Sequence, residues 1–256
     1  MTDTSSPQPR YAVYYAPPRS AALWQLAQSW LGRDCESGEI LERPALDGVS
    51  AEDAEAATGS PRHYGFHGTL KAPFRLAPGV SLRRLHDSLG AFAAARQPFQ
   101  APPLKVSAIG PFLALTFSTP SPEMESLAAA AVQELDPLRA PLSDAELQRR
   151  LAGGLSPRQE ELLRAWGYPY VLEEFRFHMT LTGPIAEESR REVLRSKLTA
   201  LFRPVLAEPV PVGEISLYSQ NSAEKPFTLV DRFRFGAGPT ASVEGSADSV
   251  EGPVIS

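Results

Sequence analysis

Residues 66–74 read FHGTLKAPF, and residues 177–185 read FHMTLTGPI. Phe-His-x-Thr-Leu, two further residues and a proline are thus written twice in a chain that has only four histidines. If both stretches are strands, side chains alternate between two faces. In the first, Gly65, His67, Thr69 and Lys71 point one way and Phe66, Leu70 and Ala72 the other. In the second, Arg176, His178, Thr180 and Thr182 share a face opposite Phe177, Met179 and Leu181. One face is apolar and defines a core side. The other carries histidine, threonine and a cation.

That residue set suits a phosphodiester. Histidine gives or takes a proton near neutral pH, and the threonine two residues on adds a hydroxyl about 7 Å along the strand. Two such strands facing one cleft would supply a base for the attacking oxygen and an acid for the leaving oxygen. Hydroxyls and cations would hold the charged oxygens between them. The expected catalytic pair is His67 and His178, with Thr69, Thr180, Lys71 and Arg176 as candidate substrate contacts. His63 and His67 have the four-residue spacing of a helical metal pair, but the segment reads as a strand and no carboxylate lies within several residues. No metal site is expected there. His86 falls in a polar helix and reads as a solvated residue. Tyr14, Tyr218, Tyr168 and Tyr170 read as core and rim packing residues before base- or sugar-stacking ones.

The same order of elements follows each motif. After the first comes a helix at about 81–95, opened by Ser81 as a cap, then strands at 104–110 and 112–118. After the second comes a helix at about 187–202, then strands at 210–219 and 227–235. An aromatic-rich strand (10–18) and a helix (19–31, stopped by Gly32) precede the first copy. The first motif region is read as extended from residue 62, and 33–61 as loop with one short helix. A helical section, 122–166, separates the copies, with Ser143 and Ser156 as caps and Gly153-Gly154 as a break. Its role is open: partner surface, lid or packing. The expected organisation is a folded unit over 10–235, with lobe one at about 10–120, the helical section, and lobe two at about 167–235. Polar, Gly/Ser-rich tails at 1–9 and 236–256 read as disordered.

Bulk composition narrows the partners. The 256 residues carry a net charge of −5, which gives no reason for tight non-specific binding to nucleic acid. Nucleic acid remains the weaker partner class and a small molecule the stronger. The single cysteine, Cys35, permits no intrachain disulfide and no cysteine metal cluster. No stretch is apolar enough for a membrane span, and the first residues lack the pattern of a signal peptide. A cytoplasmic protein with no membrane partner is the expectation. Oligomeric state is not readable.

The pair HGTL (67–70) and HMTL (178–181) resembles the signature of the two-histidine phosphoesterase superfamily. The stretches RYAVYYAPP, YGFHGTLKAPFRLAPG and GGLSPRQEELLRAWGYPYVLEEFRFHMTLTGPI resemble its branch of phosphonate metabolism proteins, the DUF1045 type. The resemblance implies an α+β, bilobal fold: two antiparallel sheets with flanking helices around a central cleft, related by a pseudo-twofold axis. It implies His67, Thr69, His178 and Thr180 as the site, and a hydrolase that needs neither metal nor cofactor. The implied reaction opens a small-molecule ribose cyclic phosphate, with 5-phosphoribosyl 1,2-cyclic phosphate from phosphonate breakdown as the leading substrate. Two alternatives stay open. One is an RNA-end enzyme acting on 2′,3′-cyclic or 2′–5′ linkages; the other is a non-catalytic sensor of a phosphate ligand.

Overall fold

The computed structural model describes residues 8–236, so the expected tails lie almost wholly outside the described residues. The chain opens with β1 (Arg10–Tyr15), whose last four residues are buried. Helix α1 (Ala22–Leu31) follows and stops at Gly32, which takes the left-handed conformation at φ 77°. Then comes α2 (Ala51–Tyr64), a full helix where mostly loop is expected, and it runs through residues 62–64 that read as extended. Its periodicity is weak, but its ends are well made. The Ser50 hydroxyl accepts from the Asp53 amide, Glu52 and Asp53 sit in the first turn, and Arg62 and His63 in the last. Gly65, at φ 77°, ends it.

The first motif strand is therefore shorter than expected: β2 is Gly68–Phe74. Helix α3 (Leu82–Ala94) leaves it, capped by Ser81 as expected, and leads to β3 (Phe99–Ala101), β4 (Leu104–Ile109) and β5 (Phe112–Phe117). The helical section consists of α4 (Pro122–Glu134), α5 (Asp144–Leu151) and α6 (Pro157–Trp166). Ser143 and Ser156 each form a reciprocal capping box with the residue three positions on. The second motif strand, β6, is only Met179–Thr180, and residues 175–178 before it are coil. Helix α7 (Glu188–Leu206), β7 (Val210–Val212), β8 (Glu214–Gln220) and β9 (Thr228–Arg234) complete the fold.

The class is α+β with antiparallel sheets, as expected, but the main sheet is continuous. Its order is β4-β5-β6-β2-β1-β8-β9, and β3 and β7 form a separate two-stranded ribbon. Strands from the two sequence copies are interleaved rather than segregated. The β4–β5 hairpin of the first copy flanks the second motif strand, while β8 and β9 of the second copy lie beyond β1, next to the first. The helices cross over in the same sense: α3 packs on β9 and α7 on β4. The two halves meet where β6 pairs with β2 through Gly68 opposite Met179. Gly68 is needed at this seam, because a Cβ there would lie 2.5 Å from the Phe177 ring.

Beneath the seam the apolar face is dry. Phe66, Leu70, Met179 and Leu181 are all buried in one core with Trp30 and Tyr218. Two buried donors fasten the motifs to it. The Tyr218 hydroxyl donates to the Phe66 carbonyl at 3.1 Å, and the Trp30 indole N–H donates to the Leu181 carbonyl at 2.9 Å.

Candidate active site

Continuing the Gly68–Met179 register by one residue each way sets His67 opposite Thr180 and Thr69 opposite His178. All four line one cavity of about 620 Å³. The diagonal arrangement follows from antiparallel pairing of two copies of His-x-Thr, so the repeated motif forms a quartet.

Each imidazole is oriented by the same bond. His67 Nδ1 lies 2.8 Å from the Gly65 carbonyl, and His178 Nδ1 lies 2.8 Å from the Arg176 carbonyl. A carbonyl only accepts, so each Nδ1 carries the hydrogen and donates it. Both Nε2 atoms are left to exchange a proton with a ligand. The hydroxyls of Thr69 and Thr180 have no protein partner among the described residues and are free to donate into the cavity.

The two rings sit in different surroundings. His67 stacks on the buried Tyr14, ring centroids 3.7 Å apart and planes 17° apart. Tyr14 covers one face, and the half-buried ring opens on the cavity. Burial lowers its pKa to about 4, with a further lowering from His178; the Gly65 carbonyl opposes both. His67 is therefore neutral at physiological pH, with a lone pair on Nε2. His178 is half-buried at the end of the coil, with Phe112 beside it at 5.9 Å.

Lys71 does not join the quartet. Tyr14 pairs with Thr69 but Val13 pairs with Lys71, so Leu70 has no opposite residue on β1. This bulge breaks the alternation and turns Lys71 away from the face of Thr69. Its ammonium donates to the Val132 carbonyl at 3.0 Å and to Asp136 at 3.2 Å, inside the protein. Arg176 is exposed and lines a neighbouring hollow of about 540 Å³, which it shares with His178, Tyr170 and Phe112. Thr182 is buried, and its hydroxyl accepts from the Leu113 amide at 2.9 Å.

His63 points elsewhere, its Nε2 accepting from Gln220 Nε2 at 2.9 Å. His86 meets Asp231 at 2.6 Å at the surface. Tyr218 is core, whereas Tyr168 and Tyr170 line the cavity with Tyr64 and Tyr14. The cavity's own cations are Arg10, Arg149 and Arg150. None stands near a motif in sequence; only the fold brings them there.

The sequence model of a family described as "Protein of unknown function (DUF1045)" matches residues 69–228. The chain belongs to that family. The DUF1045 match takes in all of the quartet except His67. Two curated relatives are named ribose 1,5-bisphosphate phosphokinase PhnN. That of Janthinobacterium sp. (strain Marseille) is 35% identical over 247 residues, 95% of this chain and 54% of the relative. That of Laribacter hongkongensis (strain HLHK9) is 38% identical over 220 residues, 86% of this chain and 50% of the relative. The chain thus spans about half the length of the curated relatives it matches. Among solved structures, E. coli LigT complexed with 3′-AMP aligns at 14% identity and a TM-score of 0.38, covering 89% of this chain and 98% of that one. E. coli LigT complexed with phosphate has the same identity and score.

Proposed function

We propose that the chain is a cytoplasmic cyclic phosphodiesterase that opens a ribose cyclic phosphate to a monoester by acid–base catalysis between two imidazoles. The observation that carries this reading is the quartet: two imidazoles, each with Nδ1 committed to a carbonyl and Nε2 open to one cavity, flanked by two unpartnered hydroxyls.

In the reaction, a water oxygen forms a bond to phosphorus while the bond to one ring oxygen breaks. His67, neutral because its burial disfavours charge, takes the water proton on Nε2. His178, entering protonated, gives its Nε2 proton to the departing oxygen. The hydroxyls of Thr69 and Thr180 donate to the non-bridging oxygens, where charge builds in the transition state. The anionic phosphodiester bound beside His67 raises its pKa from the low value set by burial, moving it toward the range in which a base works best. After turnover the two rings have exchanged protonation states, and proton exchange with water resets them.

The leading substrate is 5-phosphoribosyl 1,2-cyclic phosphate. Breaking its bond from phosphorus to O2 yields ribose 1,5-bisphosphate, the compound in the names of the two curated relatives. The test is hydrolysis of this compound and of a nucleoside 2′,3′-cyclic phosphate by EDTA-treated protein, with His67→Ala and His178→Ala alongside. Turnover that survives EDTA and disappears in both variants is expected. Preference for the nucleoside substrate would move the assignment to RNA ends. Tight binding with no turnover would favour the sensor.

A further inference from the structure

The cavity has no carboxylate in its lining among the described residues, yet three arginines face it, in a chain whose net charge is −5. Arg10 begins β1, and Arg149 and Arg150 lie in the last turn of α5. Two of the three are held in place by neutral groups. Arg10 donates through Nε, at 2.7 Å, and Nη2 to the Gln220 side-chain oxygen. Gln220 is itself fixed by His63 and by the Lys225 carbonyl at 2.7 Å. Arg150 donates to the Gly167 carbonyl at 2.7 Å. Arg149 is exposed and has no hydrogen-bond or ion-pair partner among the described residues. The carboxylate that sits near Arg150, Glu146, is engaged by Arg75 at 2.6 Å and by the Ser143 cap.

No carboxylate among the described residues forms an ion pair with any of the three, and the nearest, Glu146, is shared with Arg75. Burial lowers the Arg150 pKa, and repulsion from Arg10 and Arg149 lowers it further against the pull of Glu146. One shared carboxylate does not balance three guanidinium groups on one cavity; an anion supplied by a ligand would.

Their place in the cavity is separate from the quartet. Arg10 and Tyr14 lie on the same face of β1, which pairs regularly with β8 from Arg10 to Tyr14. At the usual rise they are about 13 Å apart along the strand. Tyr14 stacks on His67 and so marks the reacting end. Arg10 marks the other end, and its side chain spans part of the interval. Arg149 and Arg150 come in from the helical section as the wall above it.

We propose that Arg10, Arg149 and Arg150 form a second anion site, which binds a non-reacting phosphate monoester carried by the substrate. The preferred substrate is then a sugar cyclic phosphate with a second phosphate at its far end. This rests on the reading of the histidine pair as the reacting end. It also gives the helical section a function, since α5 contributes two of the three contacts.

The test compares 5-phosphoribosyl 1,2-cyclic phosphate with ribose 1,2-cyclic phosphate, which lacks the second phosphate, for wild type, Arg149→Ala and Arg149→Lys. Arg149 is exposed and partnerless, so its replacement leaves the fold intact. The expected loss in kcat/KM for Arg149→Ala is about ten- to hundredfold on the phosphorylated substrate, the worth of a charge-assisted hydrogen bond. It falls mainly on KM, is at least tenfold larger than the loss on the other substrate, and is partly restored by lysine. Equal losses on both substrates, or no loss on either, overturn the proposal.

A binding measurement separates this site from the catalytic reading. Ribose 5-phosphate is titrated calorimetrically into wild type, the His67→Ala/His178→Ala double variant and Arg149→Ala/Arg150→Ala. Binding kept by the histidine variant and lost by the arginine variant supports the second site even if wild type turns over neither substrate. Binding lost with the histidines and kept without the arginines overturns it.

Discussion

His67 and His178 are held by the same Nδ1-to-carbonyl bond and differ in nearly everything else. His67 lies between a buried tyrosine and the start of a seven-residue strand. Its tethering carbonyl belongs to a glycine at φ 77° whose Cα faces Cys35. His178 sits at the end of coil, one residue before a two-residue strand, and its tethering carbonyl belongs to an exposed arginine. Both copies bury their apolar residues in one core; they differ in what surrounds each ring and in the length of strand that follows it. For a displacement at phosphorus this asymmetry is useful, because the two ends need opposite protonation states at the start. The ring stacked on Tyr14, its pKa lowered by burial, stays neutral.

The largest effect should come from the rings themselves. Either His67→Ala or His178→Ala is expected to lower kcat by about 10²–10⁴, measured on the cyclic phosphate under saturation. Near-normal turnover in either variant would end the two-histidine mechanism. If the assignment is right, the acidic limb of the wild-type kcat/KM profile reports the base and shifts or vanishes in a His67 variant with residual activity.

The tethers offer the next comparison. A Cβ on residue 65 would meet the Cys35 Cβ at 2.6 Å in a backbone conformation that L side chains rarely adopt. Gly65→Ala is expected to lose about 2–3 kcal/mol of stability in chemical denaturation, and to lower activity by displacing the carbonyl that orients His67. Arg176→Gly makes the reverse exchange in the second copy. Only the Arg176 carbonyl is used for the tether, so a stability change of about 1 kcal/mol or less is expected. Comparable losses in the two variants would mean that the motifs are not differently built.

The quartet was legible because it is spelled out: two His-x-Thr pairs need only antiparallel pairing to converge, and the apolar residues between them assign the core face. What was not legible depended on partners distant in sequence. The bulge at Leu70 arises from how β2 pairs with β1, and no local pattern announces it. Residues 62–64 read as strand because His63 and Tyr64 adjoin a motif that is one, yet Gly65 ends a helix there. The interleaving of strands between copies, and the convergence of Arg10 with Arg149 and Arg150, exist only after folding. The tyrosines were weighed as core and rim packing residues; Tyr218 lies in the core, while Tyr14, Tyr168 and Tyr170 line the cavity.

A smaller effect tests the environment of His67 through stability alone. Its folded pKa, about 4, lies below the ordinary 6.5. Between those values the unfolded chain binds the proton that the folded one refuses, so stability rises with pH across this window and falls as pH drops through it. The expected contribution is on the order of 1–3 kcal/mol between pH 6.5 and 4, seen as a steeper slope in wild type than in His67→Gln. A slope unchanged by the substitution would mean that the ring is better solvated than its stacking on Tyr14 implies.

The smallest effect is expected at Lys71, and it bears directly on the register. Strict alternation from Thr69 would put its ammonium in the cleft, where its removal should lower turnover by the roughly hundredfold typical of a transition-state contact. The bulge at Leu70 instead places it against the Val132 carbonyl and Asp136, with burial lowering its pKa to about 8. Lys71→Met would then remove a buried charge, while Asp136 keeps its bond to Arg139 at 2.8 Å. Turnover should change by less than about threefold. Stability should shift by about 1–2 kcal/mol in either direction, because losing the pair and losing the cost of burying it oppose each other. The folded pKa lies below the unfolded one, so wild type gains stability as pH rises from about 8 toward 10.5. The variant should lose that slope. A hundredfold fall in turnover with no change in slope would place Lys71 in the cleft and the bulge elsewhere on β2.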